Sequence, residues 1–445
     1  MTRTDNTKSA LFSGTLILTG AGIISRFIGF YYKIFLSRTI GAEGLGMYQL
    51  IFPIFALFLA VCSAGIQTAI SRFCASCESD RQAKGYLAAG ISMSLALSFF
   101  CIFLVRTRAD WFCRIMMDGM DGASLLSIMT WAIPFAAIHS CINGYYYGQK
   151  KTVIPAVSQL LEQSIRVAGV WLLMQIAAEQ GRIPAVSDAV WGILIGDAGA
   201  VLYCLAASSL TTKKKQRVPY RHTLPLLQTY KILWSLALPL NANILISSNF
   251  SSSEALLIPY SLRSFGYTGS DALSVYGILT GMVFSTIMFP AVISNSLSVM
   301  LLPTVSESFH QGKTALVRKA VQKTVQICTI LGFACTFGFL LTGEWIGVHL
   351  FHNTLAGVYL RTLCWICPFV FLGSTLGSIL HGLGRATATL MINLAASLIR
   401  ILFICIGIPV IGLKAYLWGM LVSQIFIAVI SGLCIMQTRS KKRDG

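Results

Sequence analysis

Negative charge is what this sequence has least of: 16 Asp and Glu stand against 34 Lys and Arg in 445 residues. All four charged types together make 11% of the chain, where a soluble domain carries about 25%. That shortage, with 55% hydrophobic residues and a mean hydropathy of +0.72, excludes an ordinary soluble protein. Catalytic signatures are missing as well. The six histidines form no HExxH or comparable ligand spacing, and there is no Walker loop and no Ser-His-Asp pattern. No catalytic residue, metal ligand or cofactor is therefore assigned. The 13 cysteines are scattered, and Cys74-Ala-Ser-Cys77 and Cys364-Trp-Ile-Cys367 lack a second pair at metal spacing, so they read as small apolar fillers. Gly41-Ala-Glu-Gly-Leu-Gly46 joins two apolar runs rather than a strand and a helix, which makes it a tight turn and not a nucleotide loop.

Long apolar runs are what the chain does have. A helix needs about 20 residues to cross roughly 30 Å of hydrocarbon at about 1.5 Å per residue, and twelve runs of that kind follow one another from Leu11–Leu36 to Ala415–Met436. The expected fold is an all-α polytopic membrane protein, two pseudo-symmetric six-helix bundles around a central cavity. The bundles are expected at residues 1–222 and 223–445, divided by the basic connector Lys213, Lys214, Lys215, Arg217 and Arg221. A formal charge of +18 would suggest nucleic acid in a soluble chain. Here the cations gather on alternate loops instead, which predicts both termini on the cytoplasmic side and contact with anionic lipid, with no nucleic-acid partner. The first run is too long for a signal-peptide core and contains Arg26, so it is expected to remain as a spanning helix.

One pattern occurs twice. Trp131, Pro134, Phe135, Ser140, Gly148, Leu160, Ile165 and Arg166 recur 234 residues later as Trp365, Pro368, Phe369, Ser374, Gly382, Leu394, Ile399 and Arg400. With six spans per half, a duplication leaves both halves in the same orientation. The copies differ around the arginine. Gln159, Glu162, Gln163 and Arg166 share one helical face, and the matching face reads Asn393, Ala396, Ser397 and Arg400. An arginine at mid-span is unfavourable by about 2.5–3.5 kcal/mol on insertion scales, so both faces turn away from lipid. Glu162 can neutralise Arg166 one turn away, whereas Arg400 has no acid within a turn and needs Asp197, Glu254 or an anionic substrate. The pair is expected to be asymmetric, with Arg400 the one that meets substrate. Glu254 and Asp197 are the candidates for gating or ion coupling. Prolines at matching positions, Pro134 and Pro368, predict helix bends. Gly144-Tyr-Tyr-Tyr-Gly148 predicts close helix packing.

The first span places Thr15, Thr19, Gly22, Arg26, Gly29 and Lys33 along one face. Glycines there admit a neighbouring helix or a bulky ligand, and an arginine fork suits phosphate oxygens. Substrate binding is accordingly assigned to Arg26, Lys33, Arg166, Arg400, Glu162, Gln159 and Asn393. The structural alternative, in which the arginines only pair with acids or cap carbonyls, stays open at this point.

Several segments carry a resemblance. Ile24-Ser-Arg26-Phe-Ile-Gly29-Phe, Leu36-Ser-Arg38-Thr-Ile-Gly41-Ala-Glu-Gly-Leu-Gly46-Met-Tyr48 and Ala69-Ile-Ser-Arg72 resemble the polysaccharide-exporter family that includes stage V sporulation protein B. That family lies in the lipid II flippase-like branch of the multidrug/oligosaccharidyl-lipid/polysaccharide superfamily. Ser158-Gln-Leu-Leu-Glu162-Gln-Ser-Ile-Arg166 and Glu254-Ala-Leu-Leu-Ile-Pro259 are similar to the same family. The resemblance implies a bacterial cytoplasmic-membrane flippase, not an enzyme, that moves an undecaprenyl-diphosphate-linked glycan from inner to outer leaflet by alternating access, with envelope-synthesis proteins as partners. It implies that Arg26, at the family's first-helix arginine, holds the diphosphate. The family's second basic residue corresponds to Tyr32, with Lys33 one position on. A cation-coupled multidrug or metabolite antiporter of the same superfamily is the second reading, but such a protein calls for membrane carboxylates rather than arginines. A scaffold for envelope or sporulation assembly is the third.

Overall fold

The computed structural model describes residues 3–77, 79–108, 122–211, 226–294 and 314–440. Regular structure in them is helical, as an apolar solvent demands: hydrocarbon offers no partner to a free N–H or C=O, and a helix satisfies its own. The order is α1 (Arg3–Thr39), α2 (Gly41–Leu59), α3 (Gly65–Ser76), α4 (Asp80–Thr107), α5 (Gly122–Thr130), α6 (Ala132–Gly148), α7 (Val153–Glu179), α8 (Val186–Thr211) and α9 (Leu226–Phe265). It continues with α10 (Gly269–Gly277), α11 (Phe284–Met288), α12 (Thr314–Trp345), α13 (Thr354–Leu363), α14 (Cys367–Gly382), α15 (Ala386–Leu402), α16 (Ile408–Ile411) and α17 (Leu413–Ser440). Among the described residues, nine continuous helical stretches are long and apolar enough to cross a membrane. The three other expected spans coincide with α1, α7 and α9, which are 37, 27 and 40 residues long.

The chain divides into two compact units. One comprises Met1–Tyr32 and Met47–Ser252, the other Lys33–Gly46 and Ser253–Gly445. The chain passes from one to the other inside α1, inside α2 and again inside α9; the basic connector expected to divide the bundles, with Lys213 and Arg221, lies outside the described residues. In the first unit α3, α4, α6 and α9 enclose an apolar core that includes Ile66, Ile70, Ile142, Tyr146 and Leu233. In the second, Ile379, Leu380, Ile392 and Ile435 of α14, α15 and α17 form another. Phe99, Phe100 and Phe103 of α4, and Ile330, Phe337 and Leu341 of α12, stay exposed, as side chains that face lipid must.

The duplicated pattern is also a duplicated helix break. Pro134 has no N–H to donate to Thr130, and its ring crowds that carbonyl; α5 ends at Thr130 and α6 starts at Ala132. Pro368 stands in the same relation to Cys364, where a 3₁₀ turn, Cys364–Ile366, separates α13 from α14. Each break carries a half-exposed indole, Trp131 or Trp365. Among the described residues, four π-helical segments, Ala60–Ala64, Ile278–Val283, Ile346–Leu350 and Phe403–Gly407, interrupt other spans, and such segments are points where a helix can bend.

Glycines decide how closely the helices meet. A Cβ at Gly144 or Gly148 of α6 would stand 2.5 Å from the carbonyl oxygen of Gln67 or Ser71 on α3, so the GxxxG pattern is a packing surface. Gly41 opens α2 with φ at +71°, the backbone of a tight turn. Gly22 and Gly29 of α1 differ: a Cβ at either meets nothing within 4 Å among the described residues. They serve no neighbouring helix there. Gly144→Leu is therefore expected to destabilise the protein by about 1–3 kcal/mol through overpacking, and Gly22→Leu to leave it as stable or, by helix propensity, up to about 1 kcal/mol more so. Thermal unfolding of the two variants in one detergent checks this.

Candidate functional site: buried ion pairs and unpaired cations

The arginine of the first copy sits in a four-residue cluster within the first unit. Glycines build it. Gly192, Gly196 and Gly199 of α8 press against α7: a Cβ at Gly192 would overlap Val170, and one at Gly196 would lie 2.9 Å from the Glu162 carbonyl oxygen and 3.0 Å from Arg166 Cβ. That approach sets Asp197 beside Arg166. Arg166 Nη2 donates to Glu162 Oε1 at 2.6 Å and stands 3.8 Å from Asp197 Oδ1. His139 of α6 brings Nδ1 to 3.5 Å from Glu162 Oε2. The other ring nitrogen, Nε2, lies 3.1 Å from Asn143 Nδ2 and 2.9 Å from Ser158 Oγ. An amide NH₂ can only donate, so Nε2 accepts, and the neutral ring carries its proton on Nδ1, toward Glu162. Arg166, Asp197 and His139 are 7%, 4% and 7% exposed, and two atoms of the cluster, Arg166 Nε and Asp197 Oδ2, have no hydrogen-bond partner among the described residues. His139, Glu162 and Asp197 offer oxygen and nitrogen atoms all within 4.8 Å of one another, and the guanidinium supplies positive charge to both carboxylates.

The second copy is simpler. Arg400 of α15 donates from Nε to both carboxylate oxygens of Glu254 on α9, each at 2.9 Å, and from Nη2 to Ser397 Oγ at 3.1 Å. Glu254 is one of the partners the sequence offered for an arginine with no acid nearby. Arg400 and Glu254 keep 15% and 14% of their side chains exposed. Gln159 and Asn393, at matching places one turn before Glu162 and Ala396, are exposed. The asymmetry between the copies is thus of charge count: two carboxylates face Arg166, and one faces Arg400.

The cations of α1 are placed differently. Arg26 is exposed and has no ion pair or hydrogen-bond acceptor among the described residues. Lys33 is partly buried and donates from Nζ to Ser285 Oγ at 2.8 Å, a neutral partner. Arg38, near the end of the helix, is held by backbone: Nε and Nη2 donate to the carbonyl oxygens of Leu350 and His349 at 2.8 and 2.6 Å. Sequence reasoning placed Glu162, Arg166 and Asp197 on the right helices but missed His139 and the glycine row of α8. A signal for His139 existed, since the duplicated register sets it opposite Gly373, just as Glu162 stands opposite Ala396.

Helical spans whose interior arginines pair with carboxylates, with a cation left open on the first helix, are among the described residues the features of a membrane transport protein. The comparisons give the family. Residues 11–309 match the model of the polysaccharide biosynthesis protein family, to which the chain belongs, and residues 260–406 match the MatE model. Stage V sporulation protein B of Bacillus subtilis (strain 168) is 26% identical over 439 residues, 95% of this chain and 83% of that protein. Lipid II flippase MurJ of the same organism is 26% identical over 432 residues, 88% and 76% of the two chains. Among solved structures, an inward-facing multidrug resistance MATE family transporter of the MOP superfamily aligns with a TM-score of 0.71 at 15% identity, covering 94% of this chain and 96% of that one. Lipid II flippase MurJ in an inward closed conformation aligns at 0.69 and 14%, covering 96% and 90%. The fold is that of the MOP-superfamily transporters.

Removing one member of a buried pair strands the other, which costs about 3–5 kcal/mol. Glu254→Ala should therefore destabilise the protein by that order, and the double variant with Arg400→Ala should recover part of the loss. A double-mutant cycle of unfolding free energies in detergent measures the coupling.

Proposed function

We propose that this protein moves an undecaprenyl-diphosphate-linked glycan, a peptidoglycan precursor or a polysaccharide repeat unit, from the inner to the outer leaflet of a bacterial cytoplasmic membrane by alternating access. The observation that carries the reading is on α1. Arg26 and Lys33 lie seven residues apart on one helical face, neither has a carboxylate partner among the described residues, and a Cβ on the glycines between and before them, Gly29 and Gly22, would meet none of those residues within 4 Å. A cation kept in a membrane helix without an acid is a demand for an anion. Arg26 offers a planar fork that can take two phosphate oxygens, and Lys33 a point charge that can take another. Bare glycine backbone beside them leaves room for a bulky headgroup. Arg166 and Arg400 are occupied by internal carboxylates and serve as structural partners or moving parts.

The names of the relatives point the same way, one being a lipid II flippase. The basic loops favour both termini on the cytoplasmic side, where the diphosphate-linked precursor is made available. A drug/cation antiporter would keep carboxylates open for cationic cargo; here Glu162 and Glu254 already accept from arginines.

The test uses purified protein in liposomes with a fluorescent undecaprenyl-diphosphate sugar and measures its exchange between leaflets. Arg26→Ala should slow exchange by about tenfold or more, the loss of one charge-assisted contact of about 1.5–3 kcal/mol, and Lys33→Ala by a smaller factor. Equal exchange in wild type and both variants would remove the role given to α1. No exchange by wild type, together with drug efflux in cells, would favour the antiporter.

A further inference from the structure

The turn after α6 and the turn after α14 are one turn built from different residues. In the first, the N–H groups of Gln149, Lys150 and Lys151 donate to the carbonyls of Tyr145, Tyr147 and Tyr146. In the second, those of Leu383, Gly384 and Arg385 donate to the carbonyls of Ile379, His381 and Leu380, the same positions of the repeat. The middle residue has a left-handed backbone in both, with φ at +75° for Gly384 and +59° for Lys150. Glycine adopts that conformation freely, whereas a side chain there crowds its own backbone. The second copy therefore carries the residue the turn calls for. The first holds a lysine instead, and among the described residues only His352 shares that departure. A cation near a helix end favours the last carbonyls, but Lys151 and Arg385 already supply one to each copy without the strain.

What Lys150 adds is an uncommitted charge. The acid at this place is Asp80 of α4, and it is engaged: it accepts from Tyr145 Oη at 2.9 Å and from Gln149 Nε2 at 3.0 Å, and Lys84 Nζ lies 3.4 Å from its other oxygen. Lys150 and Lys151 are exposed and have no ion pair or acceptor among the described residues. The first helix runs past the same turn, since a Cβ at Gly14 would stand 2.9 Å from Thr152 Oγ1. Arg26 follows twelve residues along α1, about 18 Å at about 1.5 Å per residue. We infer that Lys150 and Lys151 form a capture site for the anionic phosphate of a lipid headgroup, at the end of the first unit from which α1 leads toward Arg26. Lysine is a strongly hydrated point charge, suited to a phosphate met at the membrane surface, while the guanidinium fork of Arg26 suits one deeper in. The identity of the lipid rests on the proposed function. In that reading this end of the unit is cytoplasmic, and a diphosphate lipid is gathered here before it reaches Arg26.

Lipid binding to the full-length protein in neutral detergent tests this, with fluorescent undecaprenyl diphosphate, phosphatidylglycerol and phosphatidylcholine as probes. Lys150→Gly should weaken binding of an anionic lipid by about fivefold, the attraction of one lysine near an anionic surface, and leave phosphatidylcholine unaffected. Lys150→Arg, which keeps the charge, should stay within about twofold of wild type. Arg385→Ala removes a cation from the equivalent turn and should also stay within about twofold at moderate salt, which screens distant exposed charges. The unfolding midpoint of Lys150→Gly should match wild type or rise by about 1–2 °C as the strain is relieved. A loss confined to undecaprenyl diphosphate marks a site for cargo, and a loss that includes phosphatidylglycerol marks a site for anionic lipid at large. The site is overturned by no loss with either anionic lipid, by an equal loss with phosphatidylcholine or in Arg385→Ala, by Lys150→Arg as weak as Lys150→Gly, or by a midpoint several degrees below wild type. Should the wild type exchange no undecaprenyl-diphosphate sugar between leaflets, the flippase reading falls while the binding series still decides the site.

Discussion

Hydrocarbon cannot solvate a charge, and that constraint organises the interior of this molecule. Arginine stays protonated at any accessible pH, so each arginine in a span must be given an anion, a set of carbonyls or water. The chain uses three answers. Arg166 and Arg400 receive carboxylates from their own units. Arg38 receives two backbone carbonyls at the end of a π-helical segment, where the helix leaves such oxygens available. Arg26 receives nothing from the described residues. With so few acids in the chain, where each one is placed decides which arginine is structural and which remains open to a ligand.

Helix geometry then sets how finely those charges are positioned. The glycines of α8 remove the side chains that would hold α7 away, so the carboxylate of one helix comes within 3.8 Å of the guanidinium of the other. The prolines of the duplicated pattern work on a longer scale by dividing a span at the same register in each copy, and the π segments add further bends. Rigid pieces joined at defined breaks are what a transporter needs in order to alternate between two packings.

Much of this was legible in the sequence, because membrane helices write their rules in one dimension. Length and hydropathy located the spans. The fixed spacing of Arg166 and Arg400 exposed the duplication, and the three- and four-residue rhythm put Glu162 and Arg166 on one face. Partners from other helices were harder to read. Glu254 lies 146 residues from Arg400, and sequence alone could offer it only as one of several acids. His139 looked like an isolated histidine because its meaning depends on α6 and α7 meeting. The glycines of α1 had two readings, helix packing or ligand access, that no periodicity can separate, since both ask for the same small residue.

Those glycines also divide the pressures that act on the chain. At Gly144 the fold itself forbids a side chain, so the residue there is fixed by the need to remain folded. At Gly22 and Gly29 the described helices ask for nothing, and alanine or serine would improve the intrinsic stability of α1. Under the function proposed above, the shape of what passes along the helix is a pressure on those two positions that the described residues do not supply. A map of tolerated substitutions along α1, compared with one along α6, would therefore trace the outline of the cargo without any cargo being bound.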